Sequence, residues 1–227
     1  MTYRRYAIYF VPPRSADWAT FATAWLGWNA ETGTEVEHPA VEGLDIASIT
    51  EVPRKYGLHA TLKPPFRLRA GQTLPALEAA CAHLAAAQRA PTLDGLEIAR
   101  LGRFVALRPV GDTDALNALA AACVRELDGF RAPLTDADLA RRRAARLTPA
   151  QEANLEAWGY PYVMDAFRFH ITLSGKLDKD TLARTQAALE HHLAPLLPAP
   201  FHIPDLALVG EAEDGRFHVV HRYALSP

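Results

Sequence analysis

Two short segments of the sequence contain residue types that could carry acid–base chemistry. His59-Ala60-Thr61 and His170-Ile171-Thr172 each place a histidine two residues before a threonine. An unperturbed imidazole titrates near neutral pH, so one neutral and one protonated ring can coexist there. Such a pair can take a proton from a nucleophile and give another to a leaving oxygen. The two segments therefore indicate general acid–base chemistry at a shared site.

In each segment, the alternation of a β-strand would put the reactive groups on one face. Successive side chains of a strand point to opposite faces, so His59 and Thr61 share a face and Ala60 lies on the other. Lys63 continues the polar face if the strand persists that far, although Pro64 could turn it away. The first segment therefore predicts a strand face with His59, Thr61 and an accessory lysine.

The second segment alternates more completely than the first. Arg168, His170 and Thr172 would share one face, and Arg168 reaches it only if the strand begins by residue 167. The intervening residues are all apolar and would form the buried face: Phe167, Phe169, Ile171 and Leu173. This pattern predicts a strand that is buried on one side and chemically active on the other.

Two copies of the motif argue for a site more strongly than one, because a lone histidine on a strand is usually a surface or core residue. If the two strands lie side by side, the imidazoles face each other across a cleft and both threonine hydroxyls point into it. In-line attack on a phosphodiester needs a base and an acid. The hydroxyls, with Lys63 or Arg168, could hold the non-bridging oxygens. The pattern therefore predicts a site that cleaves phosphodiesters.

Hydrophobic periodicity predicts that each motif opens a similar unit of strand, helix and two further strands. The predicted elements are strands or helices over residues 6–11, 16–27, 58–62, 72–88, 93–98, 104–109, 113–127, 167–173, 178–193, 201–209 and 215–223, with 29–55 mostly loop. The repeated order predicts a single domain over 1–227 with two similar lobes about an approximate two-fold axis. Lobe one is expected mainly at 50–130 and lobe two mainly at 165–227, with the N-terminal strand 5–11 joining their sheets.

Residues 131–160 interrupt the repeat. Helix-start signals at 134–138 and 147–149 and an aromatic end at 158–162 predict a helical hairpin inserted between the lobes. Its arginines, including Arg142, could reach over the cleft to grip a second phosphate, or could lie on a solvated helix face. Whether the insertion closes over the cleft is left open by the sequence.

Composition and charge restrict the possible partners. The 227 residues carry a formal net charge of −2, so no global basic field would draw the protein onto long nucleic acid, although a short RNA end stays possible. Cys81 and Cys123 sit in apolar helical stretches and are expected to be buried, reduced and structural. The sequence contains no obvious cluster of carboxylates that would bind a metal ion, and we expect no cofactor.

The sequence also predicts where the protein resides. Residues 1–10 lack the apolar core and cleavage site of a signal peptide, and no run of about 18 apolar residues is present. We therefore expect a cytoplasmic protein without a membrane partner.

The motifs and their surroundings resemble the two-histidine (2H) phosphoesterases, in the DUF1045-like branch found beside phosphonate-utilisation genes. The resemblance covers nearly the whole chain. The matching segments are Arg5 to Phe10, Tyr56 to Leu68, Leu139 to Arg143, Trp158 to Met164 and Phe167 to Leu173. It implies a bilobal α+β fold, with antiparallel sheets and flanking helices around a central cleft.

The same resemblance implies that His59, Thr61, His170 and Thr172 form the catalytic set. Tyr56 and Tyr162 could stack on a base or sugar, with packing at the lobe junction as an equal alternative. The resemblance does not settle the substrate. By gene context, a cyclic or diester phosphate of ribose in phosphonate breakdown is expected, which is association rather than chemistry.

Three functions follow from these observations. The first is a metal-independent phosphodiesterase that acts on a small cyclic or nucleotide-like phosphodiester, in which either histidine could be the base. The second is a phosphate-ligand binding or regulatory module without turnover. The third is an RNA-end 2′,3′-cyclic phosphodiesterase.

Overall fold

The protein is described by a computed structural model over residues 3–13 and 15–227. The described residues form these strands: β1 (Arg5–Phe10), β2 (Trp28–Asn29), β3 (Thr34–Glu35), β4 (Ala60–Phe66), β5 (Thr92–Leu93), β6 (Gly95–Leu101), β7 (Phe104–Val110), β8 (Ile171–Thr172), β9 (Phe201–His202), β10 (Asp205–Glu211) and β11 (Phe217–Ala224). The α-helices are α1 (Asp17–Leu26), α2 (Ile46–Arg54), α3 (Leu74–Ala87), α4 (Asp114–Glu126), α5 (Asp136–Arg143), α6 (Pro149–Trp158) and α7 (Lys179–His192).

Seven strands form one continuous sheet in the order β11-β10-β1-β4-β8-β7-β6. Every neighbouring pair in it is antiparallel. Two pairs of short strands, β2 with β3 and β5 with β9, lie outside it. The predicted α+β class with antiparallel sheet and flanking helices is confirmed.

The sheet buries its two faces differently, as β1 illustrates. Tyr6, Ile8 and Phe10 belong to the main core, which also contains buried residues of α1, α3, α4 and α7. The alternate residues of β1 and its neighbours form a smaller cluster on the other face: Ala7, Tyr9, Val11, Ala207, Val209 and Phe217. Helices therefore cover one face of the sheet, and the other is free to form the wall of a cleft.

The lobes expected from the sequence do not coincide with the two halves of this sheet. The hairpin β6–β7 of the first unit lies against β8, the motif strand of the second unit. The hairpin β10–β11 of the second unit lies against β1, which in turn pairs with β4. Because β4 and β8 pair with each other, each has one free edge, and β1 and β7 occupy those edges. Residues 50–130 and 165–227 are thus interleaved in space.

The insertion consists of the two expected helices, α5 and α6. Thr135 accepts a hydrogen bond from the backbone of Asp138, and Asp138 reaches back to Thr135, so a capping box starts α5. Thr148 and Gln151 cap α6 in the same way. These caps explain why the sequence signals for the two helix starts were readable.

Region 29–55 contains more regular structure than the mostly loop prediction. Helix α2 begins after Asp45, whose side chain accepts a hydrogen bond from the backbone of Ser48. It ends shortly before Tyr56 and Gly57, which lead into the first motif. A helix in this stretch therefore positions the entry to β4.

Candidate active site

The two motif strands lie side by side, as the repeated motif predicted. Ala60 of β4 is directly opposite Ile171 of β8 in an antiparallel pair, and both are almost fully buried in the helix-covered core. One residue further each way, this register sets His59 beside Thr172 and Thr61 beside His170. All four motif side chains therefore belong to the opposite face of the sheet, each histidine next to the threonine of the other motif.

The His59 ring is enclosed by aromatic side chains. It stacks on Tyr9 of β1 with ring centroids 4.1 Å apart, and the tilted Tyr56 ring lies 5.6 Å away. Burial lowers the pKa of His59 to about 4, a hydrogen bond to the Gly57 backbone opposes this, and the nearby His170 charge lowers it further. His59 is therefore held in its neutral form near pH 7.

Gly57 gives the first motif its backbone geometry. Its φ of +69° lies in the left-handed region, and a Cβ there would lie 3.0 Å from the Ala30 Cβ. Its carbonyl accepts a hydrogen bond from His59 Nδ1 at 2.9 Å. A residue other than glycine would strain the turn that aims this carbonyl at the ring.

The His170 ring repeats the same backbone contact in a more open setting. Its Nδ1 lies 2.8 Å from the carbonyl oxygen of Arg168, again two residues earlier in the chain. Phe104 of β7 flanks it, with ring centroids 6.0 Å apart. Both histidines are half-buried, but His59 has two aromatic rings beside it, one of them stacked, and His170 has one.

These contacts fix which nitrogen of each ring can react. A carbonyl oxygen can only accept a hydrogen bond, so Nδ1 carries the hydrogen in both His59 and His170. The other nitrogen, Nε2, is the atom that gains or loses a proton. The geometry therefore leaves one titrating nitrogen on each ring for chemistry.

A cleft of about 590 Å³ lies over this face of the sheet, and His59, Thr61 and Thr172 contribute to its lining. Five cationic side chains also line it: Arg5, Lys55, Arg141, Arg142 and Lys176. None of the described residues that line it is an aspartate or glutamate. In a chain with a net charge of −2, this concentrates positive charge at the motifs and favours an anionic ligand.

Two of the accessory residues expected from the sequence lie in the cleft. Tyr56 lines it beside His59. Arg142, in the last turn of α5, lines it with its guanidinium 4.6 Å above the Tyr160 ring. Because Arg141, Arg142 and Tyr160 all come from 131–160, the insertion forms part of the cleft wall.

The expectation that Lys63 shares the face of His59 and Thr61 is wrong. The register of β4 against β1 shifts between Thr61 and Lys63, which marks a β-bulge. The Lys63 side chain is buried and donates a hydrogen bond to the Val124 carbonyl at 3.0 Å, with an Asp128 oxygen at 3.5 Å. The extra residue of the bulge turns Lys63 onto the helix-covered face, against the end of α4.

Arg168 does not reach the cleft either. Strand β8 begins only at Ile171, so the strand alternation that would have aligned Arg168 with His170 does not extend to it. Its guanidinium turns back and donates hydrogen bonds to the carbonyls of Asp165 and Phe167. The alternation of buried residues is nevertheless kept, since Phe167 is 7% exposed and Ile171 is fully buried.

Tyr162 is the third accessory residue outside the cleft. It is 42% exposed and meets Tyr160 edge to face, with ring centroids 5.7 Å apart. Of these two tyrosines, Tyr160 is the one that lines the cleft. Tyr162 therefore supports Tyr160 from outside.

Several cleft residues were not singled out from the sequence. Arg5 and Tyr9 lie four residues apart on β1 and share the cleft face, which strand alternation could have indicated. Lys55 and Lys176 carry no such signal, because Lys55 lies in the turn after α2 and Lys176 in the irregular segment between β8 and α7. Only the folded chain brings these cations together.

Within the described ranges, no group of three or more histidine, cysteine, aspartate or glutamate side chains is arranged to hold a metal ion. Cys81 and Cys123 are buried free thiols in the main core, as expected, and burial raises the pKa of both. Across the same residues, no helix is both long enough and apolar enough to cross a membrane.

Comparison with known proteins identifies the family. A family described as "Protein of unknown function (DUF1045)" matches residues 61–218. The chain belongs to the DUF1045 family. The resemblance to the DUF1045-like branch is thereby confirmed, and the match begins at the threonine of the first motif.

Curated relatives of this DUF1045 chain are longer proteins. One, from Janthinobacterium sp. (strain Marseille), is named "Ribose 1,5-bisphosphate phosphokinase PhnN" and is 38% identical over 218 residues, covering 93% of this chain and 48% of the relative. Another with the same name, from Laribacter hongkongensis (strain HLHK9), is 36% identical over 214 residues, covering 93% and 49%. The chain spans about half the length of the curated relatives it matches.

Solved structures with a similar arrangement are distant in sequence. E. coli LigT complexed with 3′-AMP is 16% identical with a TM-score of 0.47, and both chains are covered completely. The protein TT0787 of Thermus thermophilus is 18% identical with a TM-score of 0.46, and 97% of each chain is covered.

Proposed function

We propose that this chain is a phosphodiesterase that hydrolyses a small cyclic or nucleotide- and ribose-like phosphodiester through its two histidines. One observation carries the proposal: the pairing of Ala60 with Ile171 brings both His-x-Thr segments to one face of the sheet, under a cleft lined by five cations. His59 lines this cleft, and the register sets His170 on the same face beside Thr61, which also lines it. Cations that bind an anion next to two imidazoles allow two proton transfers to it. Since the imidazoles supply both transfers, the mechanism requires no metal.

His59 is the general base in this mechanism. Its pKa of about 4 keeps the ring neutral near pH 7, and Nδ1 is committed to the Gly57 carbonyl. Its Nε2 lone pair therefore accepts a proton from water as the water oxygen attacks phosphorus. The Tyr9 ring holds the imidazole in one orientation by stacking on it.

His170 is the general acid. Its Nδ1 is held by the Arg168 carbonyl, which leaves Nε2 to act on the leaving oxygen. As the bond from phosphorus to the sugar oxygen breaks, Nε2 gives its proton to that oxygen. His59 ends protonated and His170 neutral, and exchange of one proton with solvent restores both.

The threonines and nearby cations stabilise the phosphoryl group. The antiparallel register sets Thr61 beside His170 and Thr172 beside His59, so one hydroxyl stands next to each ring. These hydroxyls can donate to the non-bridging oxygens, where negative charge develops in the transition state. Together with general acid–base catalysis, worth about 10²–10⁴-fold, this accounts for useful turnover.

The comparisons support a phosphorylated ribose as the substrate class. The two curated relatives are named for a kinase of ribose 1,5-bisphosphate. Their named activity belongs to proteins about twice the length of the matched region, so kinase activity is not assigned to this half. A phosphoester substrate connected with phosphonate metabolism is consistent with the name and with the cationic cleft.

Phosphorus NMR tests the proposal. We expect 2′,3′-cyclic AMP to be converted to a phosphate monoester by the wild-type chain, in buffer with or without EDTA, and not by a His59→Ala/His170→Ala variant. A matched His191→Ala variant, in an exposed residue of α7, should behave as the wild type. Thermal stabilisation by the nucleotide without any product would instead favour a binding module, and would sink the proposal.

An RNA end is the second candidate. Two exposed lysines that line the cleft, Lys55 and Lys176, favour it. Their ammonium groups could bind the phosphates of a flanking nucleotide. A short oligonucleotide ending in a 2′,3′-cyclic phosphate distinguishes the two. Faster hydrolysis of the oligonucleotide than of the mononucleotide, with a steep loss at high salt, would favour the RNA end.

A further inference from the structure

The cleft contains more positive charge than one phosphodiester needs. A phosphodiester group carries a single negative charge, whereas five cations line the cleft and no described lining residue is acidic. Chain composition does not explain this, because acidic residues outnumber lysine and arginine, 26 to 24. The surplus indicates that the natural ligand carries further negative charge.

Of the three arginines that line the cleft, Arg142 is the one without a carboxylate partner among the described residues. Arg5 is paired with Glu211, and Arg141 is paired with Asp138 at 2.8 Å. Arg142 forms no ion pair with any carboxylate in the described ranges, and its Nε is buried without a hydrogen-bond partner. A half-buried guanidinium without a counter-ion is costly to desolvate, and a bound anion would offset that cost.

Tyr160 holds this guanidinium in place. The Arg142 guanidinium carbon lies 4.6 Å from the centre of the Tyr160 ring, a cation–π distance. Stacking occupies one face of the guanidinium plane and leaves the N–H groups at its edge free to donate. That edge matches the oxygens of a phosphate monoester, which it can bind through two parallel hydrogen bonds.

Arg142 lines the cleft together with the two other arginines, Arg5 and Arg141. With Arg5 and Arg141 it also lines a small adjoining recess whose lining includes Trp158 and neither motif histidine nor motif threonine. On β1, Arg5 is four residues from Tyr9, the residue that stacks on His59, which corresponds to roughly 13 Å along the strand. We call the part of the cleft lined by His59, Thr61 and Thr172 its imidazole end, and the part that adjoins this recess its arginine end.

We propose that Arg142, braced on Tyr160, forms a second anion subsite, so that the substrate is a sugar phosphodiester with a separate phosphate monoester on the same sugar. This rests on the proposed function, because the phosphodiester is assigned to the imidazole end. The monoester adds two charges near neutral pH, which matches the surplus of cations. Binding there would orient the sugar and direct the diester toward Nε2 of both histidines.

Calorimetry with product-like ligands tests the subsite without relying on turnover. We expect adenosine 3′,5′-bisphosphate to bind the wild-type chain about 10- to 100-fold more tightly than adenosine 3′-phosphate, since one charge-assisted contact has that worth. In an Arg142→Gln variant the two ligands should bind about equally. The matched control is Arg143→Gln, the next residue in α5, whose side chain pairs with Glu152 and Glu156, and it should keep the wild-type preference.

The outcomes separate this inference from the proposed function. If the bisphosphate preference is present but 2′,3′-cyclic phosphates are not hydrolysed, the subsite stands and the proposed catalysis fails. If cyclic phosphates are hydrolysed but the wild type shows no preference, or Arg142→Gln retains it, the subsite is refuted. A large fall in the melting temperature of Arg142→Gln, with equal weakening of both ligands, would also overturn it by giving Arg142 a purely structural role.

Discussion

The two histidines share one backbone contact but differ in their surroundings. Each donates from Nδ1 to the carbonyl two residues earlier, so both present Nε2 for proton transfer. His59 is stacked on Tyr9, whereas His170 has only Phe104 nearby among the described rings. The sequence could predict that these residues share a face, but not this difference, because Tyr9 and Phe104 come from other strands. The assignment of base and acid therefore depends on the fold.

The acid limb of the pH profile tests the role of His59. A base must be neutral to accept a proton, and the pKa of His59 is lowered to about 4, so activity is lost only as pH falls through that value. We expect kcat/KM to stay high down to about pH 5 and to be half-lost near pH 4. Circular dichroism at each pH checks that the chain remains folded.

A Tyr56→Ala variant sharpens this test. Removing a ring that lies 5.6 Å from His59 admits water, reduces the burial that lowers the pKa, and should move the acid limb to higher pH. A wild-type limb near the unperturbed histidine value of about pH 6.5, or a limb that does not move in the variant, would contradict the assignment of His59 as the enclosed base.

At the scale of elements, β4 decides which side chains face the cleft. Strand alternation was sufficient for His59 and Thr61, because the strand is regular there. It failed at Lys63 because a bulge inserts a residue between Thr61 and Lys63. Lys63 instead donates to Val124, one of the last carbonyls of α4, which lack partners within the helix. Lys63 therefore provides a hydrogen-bond donor to the C-terminal end of α4.

A Lys63→Met variant separates these two roles. We expect the free energy of unfolding to fall by about 1–3 kcal/mol, since a buried carbonyl loses its donor, while kcat/KM of the folded chain is unchanged. Thermal melts and steady-state kinetics measure both. The control Lys179→Met, in an exposed residue at the start of α7, should change stability by less than about 0.5 kcal/mol. If Lys63→Met had normal stability but lost activity, the structural role would be contradicted and Lys63 would be assigned to substrate binding.

At the scale of the molecule, the fold joins segments that are far apart in sequence. Periodicity located the strands and helices of both units, and the repeated motif predicted that β4 and β8 meet. It could not predict where the two hairpins lie. The hairpin β6–β7 pairs with β8, the motif strand of the other unit, and the hairpin β10–β11 pairs with β1. Strand order of this kind is a tertiary property. Nor could periodicity predict the cationic cleft, which gathers side chains from β1, α5 and two connecting segments.

The most direct test of the central claim compares hydrolysis of 2′,3′-cyclic AMP by the His59→Ala, His170→Ala and double variants. If the two motifs form one acid–base unit, each single variant loses about 10²–10⁴-fold in kcat/KM, and the double variant loses little more than either. Turnover by the double variant at the wild-type rate would contradict the account. So would losses that multiply in the double variant, because the two histidines would then act independently.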